Sequence, residues 1–187
     1  MPMPVPRPAA KPAKADSAPL LEGFAPILGA RPRVLVLGSM PSVASLAAQG
    51  YYAHPRNRFW PLLAHLLGRD LPAEYAQREA LARDGGVAIW DVLARCRRRG
   101  SLDSAIDPQD RETNAIPELI QAQPTLRLIA LNGGMAAQVF RRELAPRLPA
   151  EAPAAIALPS TSPANARMDL AALALAWQPV AEALGAE

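Results

Sequence analysis

One cysteine, Cys96, is all that 187 residues offer. An internal disulfide, a four-cysteine iron-sulfur site and a cysteine-built zinc cage are therefore excluded, and a reducing cytoplasm suits the chain. Lysine is almost missing as well: Lys11 and Lys14 are the only two, and residues 33–187 contain none. The body of the chain thus has no side-chain amine with which to form a Schiff base. No run approaches the roughly 18 consecutive apolar residues of a membrane span. An excess of one charge is also lacking, since residues 33–187 hold 16 arginines against 15 acids. Net charge alone does not argue for a nucleic-acid partner. Aromatic residues are scarce, at 5% of the chain, so a cluster of them stands out.

What is present has globular composition, with half the residues hydrophobic and a fifth charged, in a length suited to one domain with a sizeable core. Residues 1–19 hold six of the 21 prolines and no periodic apolar pattern. They are expected to form a disordered, Pro-rich tail ahead of a single α/β domain over residues 20–187. The tail lacks the apolar segment of a secretory signal and is too rich in proline for an amphipathic transit helix.

Arg33 to Leu37, closed by Gly38, has the form of a buried central strand. Leu126 to Leu131 and Ala155 to Leu158 repeat it, and Val87 to Trp90 is a weaker fourth. Helical patterns fall at 58–67, 73–83, 91–97, 117–121, 135–144 and 168–184, with Pro179 expected to kink or divide the last. Strands alternating with helices predict a three-layer αβα sandwich around a short, mostly parallel sheet. In such folds ligands bind beyond the carboxyl ends of the strands.

The segments that follow the strands are the unusual parts of the chain. Gly38-Ser39-Met40-Pro41-Ser42 is a strand-to-helix turn whose glycine permits close backbone approach and whose amides can meet an anion or a carbonyl oxygen; an ordinary βα turn has the same composition. It is neither a Walker loop nor a nucleophile elbow. Tyr51 to Trp60 packs four aromatics, His54, Asn57 and two arginines into ten residues. Aromatic faces stack on bases, arginine meets phosphate, and an amide reads a base edge or holds a water. Phe59 and Trp60 are expected to open a helix and lie in the core, whereas Tyr51 and Tyr52 are expected to face a pocket. His54 is either a hydrogen-bonded loop histidine or a catalytic donor. Asn132-Gly133-Gly134 fits a tight packing turn or an anion cradle. Leu158 to Asn165 is a polar turn with two prolines and three hydroxyls, suited to phosphate contacts. Arg95 to Arg99 is read as a solvated helix end.

Taken in order, the first turn, the aromatic segment Tyr51 to Trp60 and the segment Leu158 to Asn165 resemble the uracil-DNA glycosylase superfamily, most closely its hypoxanthine (deoxyinosine) DNA glycosylase branch. The resemblance covers about residues 20–180, and the segments 86–93 and 100–107 also look typical of that branch. In the related mismatch-specific uracil and thymine glycosylases the first motif carries an asparagine where Met40 stands here, and a glycine where Ser42 stands. A thioether can neither orient a water by hydrogen bonding nor read the edge of uracil. The branch is thought to use an asparagine elsewhere, which the resemblance places at Asn57, although Asn57 can equally cap the helix beginning at Arg58.

The resemblance implies a monofunctional glycosylase of base excision repair that flips a deaminated base out of double-stranded DNA and hydrolyses its N-glycosidic bond. Asn57 and His54 are the expected catalytic residues. Gly38, Ser39, Met40, Pro41, Tyr52 and Asn132 are the expected base pocket, with the base stacked on Tyr52. Ser160, Ser162, Pro163, Ala164 and Asn165 are expected to contact DNA, Ser160 following the base into the extruded space, with Ala164 or Met168 as the wedge. No cofactor, metal or membrane is implied, and a monomer in the bacterial cytosol and nucleoid is expected. Two other readings fit the same residues: a uracil or mismatch-specific glycosylase, and a nucleotide-binding module or small hydrolase using Ser39 or Ser160.

Overall fold

The computed structural model describes residues 18–185. The Pro-rich tail expected over 1–19 lies almost wholly outside them. The main sheet consists of β2 (Val34–Gly38), β3 (Val87–Asp91), β6 (Leu128–Asn132) and β7 (Ala154–Leu158), in the order β3-β2-β6-β7 with every pair parallel. β2 is buried at all five positions, which is why it carries a continuous apolar run: Val34 and Val36 face one layer while Leu35 and Leu37 face the other.

On the first face lie α2 (Phe59–Leu66), α6 (Leu170–Ala176) and α7 (Gln178–Leu184); Phe59, Trp60 and Val180, and Trp177 at the junction of α6 and α7, are each 1% exposed. Burial of each such aliphatic or phenyl side chain stabilises the fold by about 1.5–3 kcal/mol. The second face is covered by α4 (Ile116–Ala122) and α5 (Gly134–Val139), with Ile116, Ile120, Ala136 and Phe140 in its core. The two remaining helices, α1 (Val43–Ala48) and α3 (Tyr75–Asp84), follow the first turn and precede β3. The predicted three-layer α/β class is the observed one. Pro179 sits in the first turn of α7, where its missing amide is harmless, and the chain breaks at Trp177.

One predicted helix is a strand. Residues 91–97 read as helix because Leu, Ala and Arg favour it, but Leu93–Arg97 forms β4, paired antiparallel with β1 (Leu20–Glu22) and β5 (Arg111–Thr113). The arginine run is correspondingly not a solvated helix end: Arg95 pairs with Glu112, Arg97 pairs with Asp110, and Arg98 is 1% exposed. Ahead of β1, the carbonyls of Ala18 and Pro19 accept hydrogen bonds from the Arg97 guanidinium and the Arg98 amide. No helix among the described residues is long and apolar enough to cross a membrane.

Candidate active site

The carboxyl ends of the four parallel strands open into a cavity of about 450 Å³. Gly38 ends β2, Asp91 ends β3 and Asn132 ends β6, while the segment after β7 supplies Ser160 to Ser162. A larger open recess of about 880 Å³ lies at the amino ends of the strands, bordered by Arg31, Arg33, Arg83 and Arg127. Parallel sheets bind their ligands at the other end, and the residues singled out by sequence gather there.

Gly38 is required by proximity, since a Cβ on it would collide with Asp91 Oδ1 and stand 3.2 Å from the Tyr52 hydroxyl. Ser39, Met40, Pro41 and Ser42 continue the wall. Met40 is 6% exposed and belongs equally to the apolar core beneath. Ser42 accepts the Ser45 amide and starts α1.

Tyr52 forms the opposite wall with φ of +55°, an uncommon backbone conformation for an aromatic residue and one that marks sites where strain is tolerated for placement. Phe59 backs its ring, stacked at 4.0 Å between centroids. Burial, with Asp91 adding to it, pushes the phenol well above its usual range. Tyr51, 3% exposed, is further in: its hydroxyl donates to the carbonyls of Phe24 and Ala25, and its own carbonyl accepts the Trp60 indole N–H at 2.9 Å.

Asn57 lines the cavity, and its Oδ1 accepts the Phe59 amide at 3.0 Å. The helix cap expected at Asn57 is therefore not the one observed: the N-cap of α2 is Arg58, without a side-chain cap bond, and Asn57, one residue earlier, closes a local turn onto the Phe59 amide while bordering the cavity. Asn132 is more fully engaged, with Nδ2 donating to Tyr52 Oη (3.3 Å) and Thr161 Oγ1 (3.1 Å) and Oδ1 accepting the Thr161 amide (3.0 Å). It holds three walls together. His54 is not among the cavity walls; its Nδ1 accepts the Arg56 amide at 3.1 Å and its carbonyl accepts the Asn57 amide. This is the geometry of a loop histidine.

The segment after β7 is cross-braced from within. Ser160 Oγ accepts the Ser162 amide, Ser162 Oγ accepts the Ala164 amide, and the Asn165 side chain donates back to the Ser160 carbonyl. Ser160, Ser162, Ala164 and Asn165 border the cavity, and Pro163 does not. Ala164 is exposed at the tip, whereas Met168 is half-buried against the core. Of the two wedge candidates, only Ala164 is free to protrude.

Sequence reasoning missed what fixes this segment. The Arg58 guanidinium donates to the carbonyls of Ser162 (2.6 Å), Asn165 (2.9 Å) and Met168, and its amide donates to Thr161 O. Gly133, at φ of +102°, lies so close that a Cβ would stand 3.1 Å from that of Ser160. Gly133→Ala is accordingly expected to lower stability by about 2 kcal/mol, read by thermal melting, because it adds both backbone strain and a close contact. A Tm within 1 °C of the parent would contradict that packing.

Also missed were two acids and the arginine between them. Asp91 is 4% exposed and its Oδ2 has no hydrogen-bond partner among the described residues. Asp103 accepts the Ser39 hydroxyl at 2.6 Å. Burial and the neighbouring Asp103 push the Asp91 carboxyl up to about 7, with Arg98 opposing.

A parallel-sheet α/β domain with a half-polar cavity at the strand ends and a braced loop beside it defines the class: a ligand-processing domain with its chemistry on βα loops. The chain belongs to the uracil DNA glycosylase superfamily, whose profile matches residues 26–181. A Methanosarcina acetivorans protein named hypoxanthine DNA glycosylase is 36% identical over 146 residues, 78% of this chain and 88% of the relative. One of the same name from Methanosarcina barkeri is 38% identical over 114 residues, 60% of this chain and 70% of the relative. A solution NMR structure of a Methanosarcina acetivorans protein superposes with a TM-score of 0.74 at 31% identity, covering 89% of this chain and 99% of that one. Family and fold are those the motifs led us to expect.

Proposed function

We propose that this protein is a monofunctional DNA glycosylase that hydrolyses the N-glycosidic bond of deoxyinosine flipped out of double-stranded DNA. The observation that carries the reading is the pairing of Met40 with Asn57. Where mismatch-type relatives of the resembled family have an asparagine, a buried thioether lines the cavity, and Asn57 lines it from the aromatic segment. The relatives named hypoxanthine DNA glycosylase support the choice of base.

Flipping a base costs a few kcal/mol and costs least at a mismatch such as inosine opposite thymine. The flipped base stacks beside Tyr52, and Asn57 holds the attacking water below C1'. This is a positioning role, because an amide has no useful basicity near neutral pH. The second lone pair of Oδ1 accepts a water proton while the Phe59 amide fixes its direction. The braced segment 160–165 meets the DNA backbone, with Ala164 at its tip.

The test is a panel of duplexes, each with one deaminated base, scored for alkali-sensitive abasic sites. Deoxyinosine is expected to be cut fastest, and a uracil rate above the inosine rate would move the protein to the uracil-directed reading. No strand cleavage without alkali is expected, because residues 33–187 contain no lysine. A borohydride-trapped protein-DNA adduct would overturn the monofunctional assignment.

A further inference from the structure

Three ionisable groups crowd the turn that follows β2, and the proposed water-positioning role of Asn57 uses none of them. Arg98, 1% exposed, donates to the Pro41 carbonyl, and its Nε and Nη1 have no partner among the described residues. Asp103 holds the Ser39 hydroxyl. Asp91 lies at the end of β3, in register with Gly38, and borders the cavity with a carboxyl whose Oδ2 has no hydrogen-bond partner among the described residues. The Arg98 charge favours the ionised form of both carboxyls. The one with a hydrogen-bond donor of its own, Asp103, is the better placed to carry the negative charge, and the other keeps a proton.

We propose that Asp91 is the general acid of the reaction, delivering its carboxyl proton to N7 of the departing hypoxanthine. The inference rests on the deoxyinosine reading above. As the C1'–N9 bond breaks, its electron pair passes into the purine, and N7, the most basic ring nitrogen, takes the proton from Asp91. The water oxygen bonds to C1', and the proton it loses reaches solvent, from which Asp91 is recharged. The base leaves as neutral hypoxanthine and the sugar keeps the hydroxyl. No metal or second substrate enters the balance.

The surroundings hold the acid ready. Burial and the charge of Asp103 favour the protonated form and Arg98 opposes them, leaving the carboxyl at about 7, near the pH at which it must act. Tyr51 and Tyr52, the other ionisable groups coupled to it, are driven far upward by burial and stay neutral. Gly38 leaves the carboxyl room that any side chain at that position would fill.

The experiment compares single-turnover excision of deoxyinosine and 7-deaza-deoxyinosine, which has carbon in place of N7, by the full chain and by Asp91→Asn. The unmodified protein is expected to cut deoxyinosine about 10²-fold faster than the deaza base. Its deoxyinosine rate should fall tenfold per pH unit above about 7. Asp91→Asn, which keeps the shape and a donor but has no proton to give, should lose the same 10² on deoxyinosine, lose the pH dependence, and leave the deaza rate unchanged. A variant that slows both bases equally has lost recognition or folding instead, and overturns the acid role. So does an unmodified protein that cuts both bases alike or shows a flat profile between pH 5.5 and 8.5. That second arm needs no variant. Failure of the unmodified protein to cut deoxyinosine at any pH would remove the deoxyinosine reading itself, and the role of Asp91 with it.

Discussion

Asn57→Ala is expected to lower single-turnover excision of deoxyinosine by about 10², roughly 2.7 kcal/mol of transition-state stabilisation, with little change in DNA affinity. The same variant should lose about 1 kcal/mol of stability, because Oδ1 accepts the Phe59 amide at the start of α2. One side chain thus performs two tasks, and alanine cannot separate them. Serine can: its hydroxyl can accept the same amide two residues on, and it has no amide reaching into the cavity. Asn57→Ser is expected to melt with the parent and to excise as slowly as Asn57→Ala. If the serine variant recovers both stability and rate, Asn57 serves only to fix the turn that enters α2. The search for the water-positioning group would then pass to Asn165, since the Asn132 amide is already engaged with Tyr52 and Thr161.

Much of the fold was legible because its signals are local. A five-residue buried strand between two covered faces has to be apolar throughout, and Val34 to Gly38 is. A proline that cannot continue a helix divides α6 from α7. β4 was illegible because its reason is not local: Leu20 pairs with Arg97 and Glu112 pairs with Arg95 across the sheet, and neither partner is visible from residues that favour helix on their own.

The site divides along the same line. Tyr52 and Asn57 stood out because aromatics are rare and the segment is dense with functional groups. Asp91 did not, because an acid after an apolar run reads as the start of a helix. Only the parallel register that sets it beside Gly38 brings it to the cavity. Its signal was there in part: the last residue of a predicted parallel strand is where ligands are met. Arg56 and Arg58 are indistinguishable in sequence, two arginines either side of Asn57. In the fold Arg56 is exposed while Arg58 turns inward onto three carbonyls.

Arg58→Ala is expected to lower kcat/KM on duplex deoxyinosine by about 10², chiefly through KM, and to lower stability by roughly 3 kcal/mol, a Tm drop of about 6–12 °C. The guanidinium fork fastens Ser162, Asn165 and Met168 to the start of α2, the same point from which Asn57 faces the cavity. Without it the braced turn keeps its internal hydrogen bonds but loses its position relative to the pocket. Lysine has donors but no planar fork, so Arg58→Lys should recover less than half of the loss. Single-stranded deoxyinosine, assayed well below the melting range, isolates the part of the loss that belongs to base flipping. A base that is already unpaired does not need a firmly placed loop to extrude it, so the penalty there should shrink to tenfold or less. An equal penalty on both substrates would mean that Arg58 supports the base pocket itself, and that the segment around Ala164 has no part in opening the duplex.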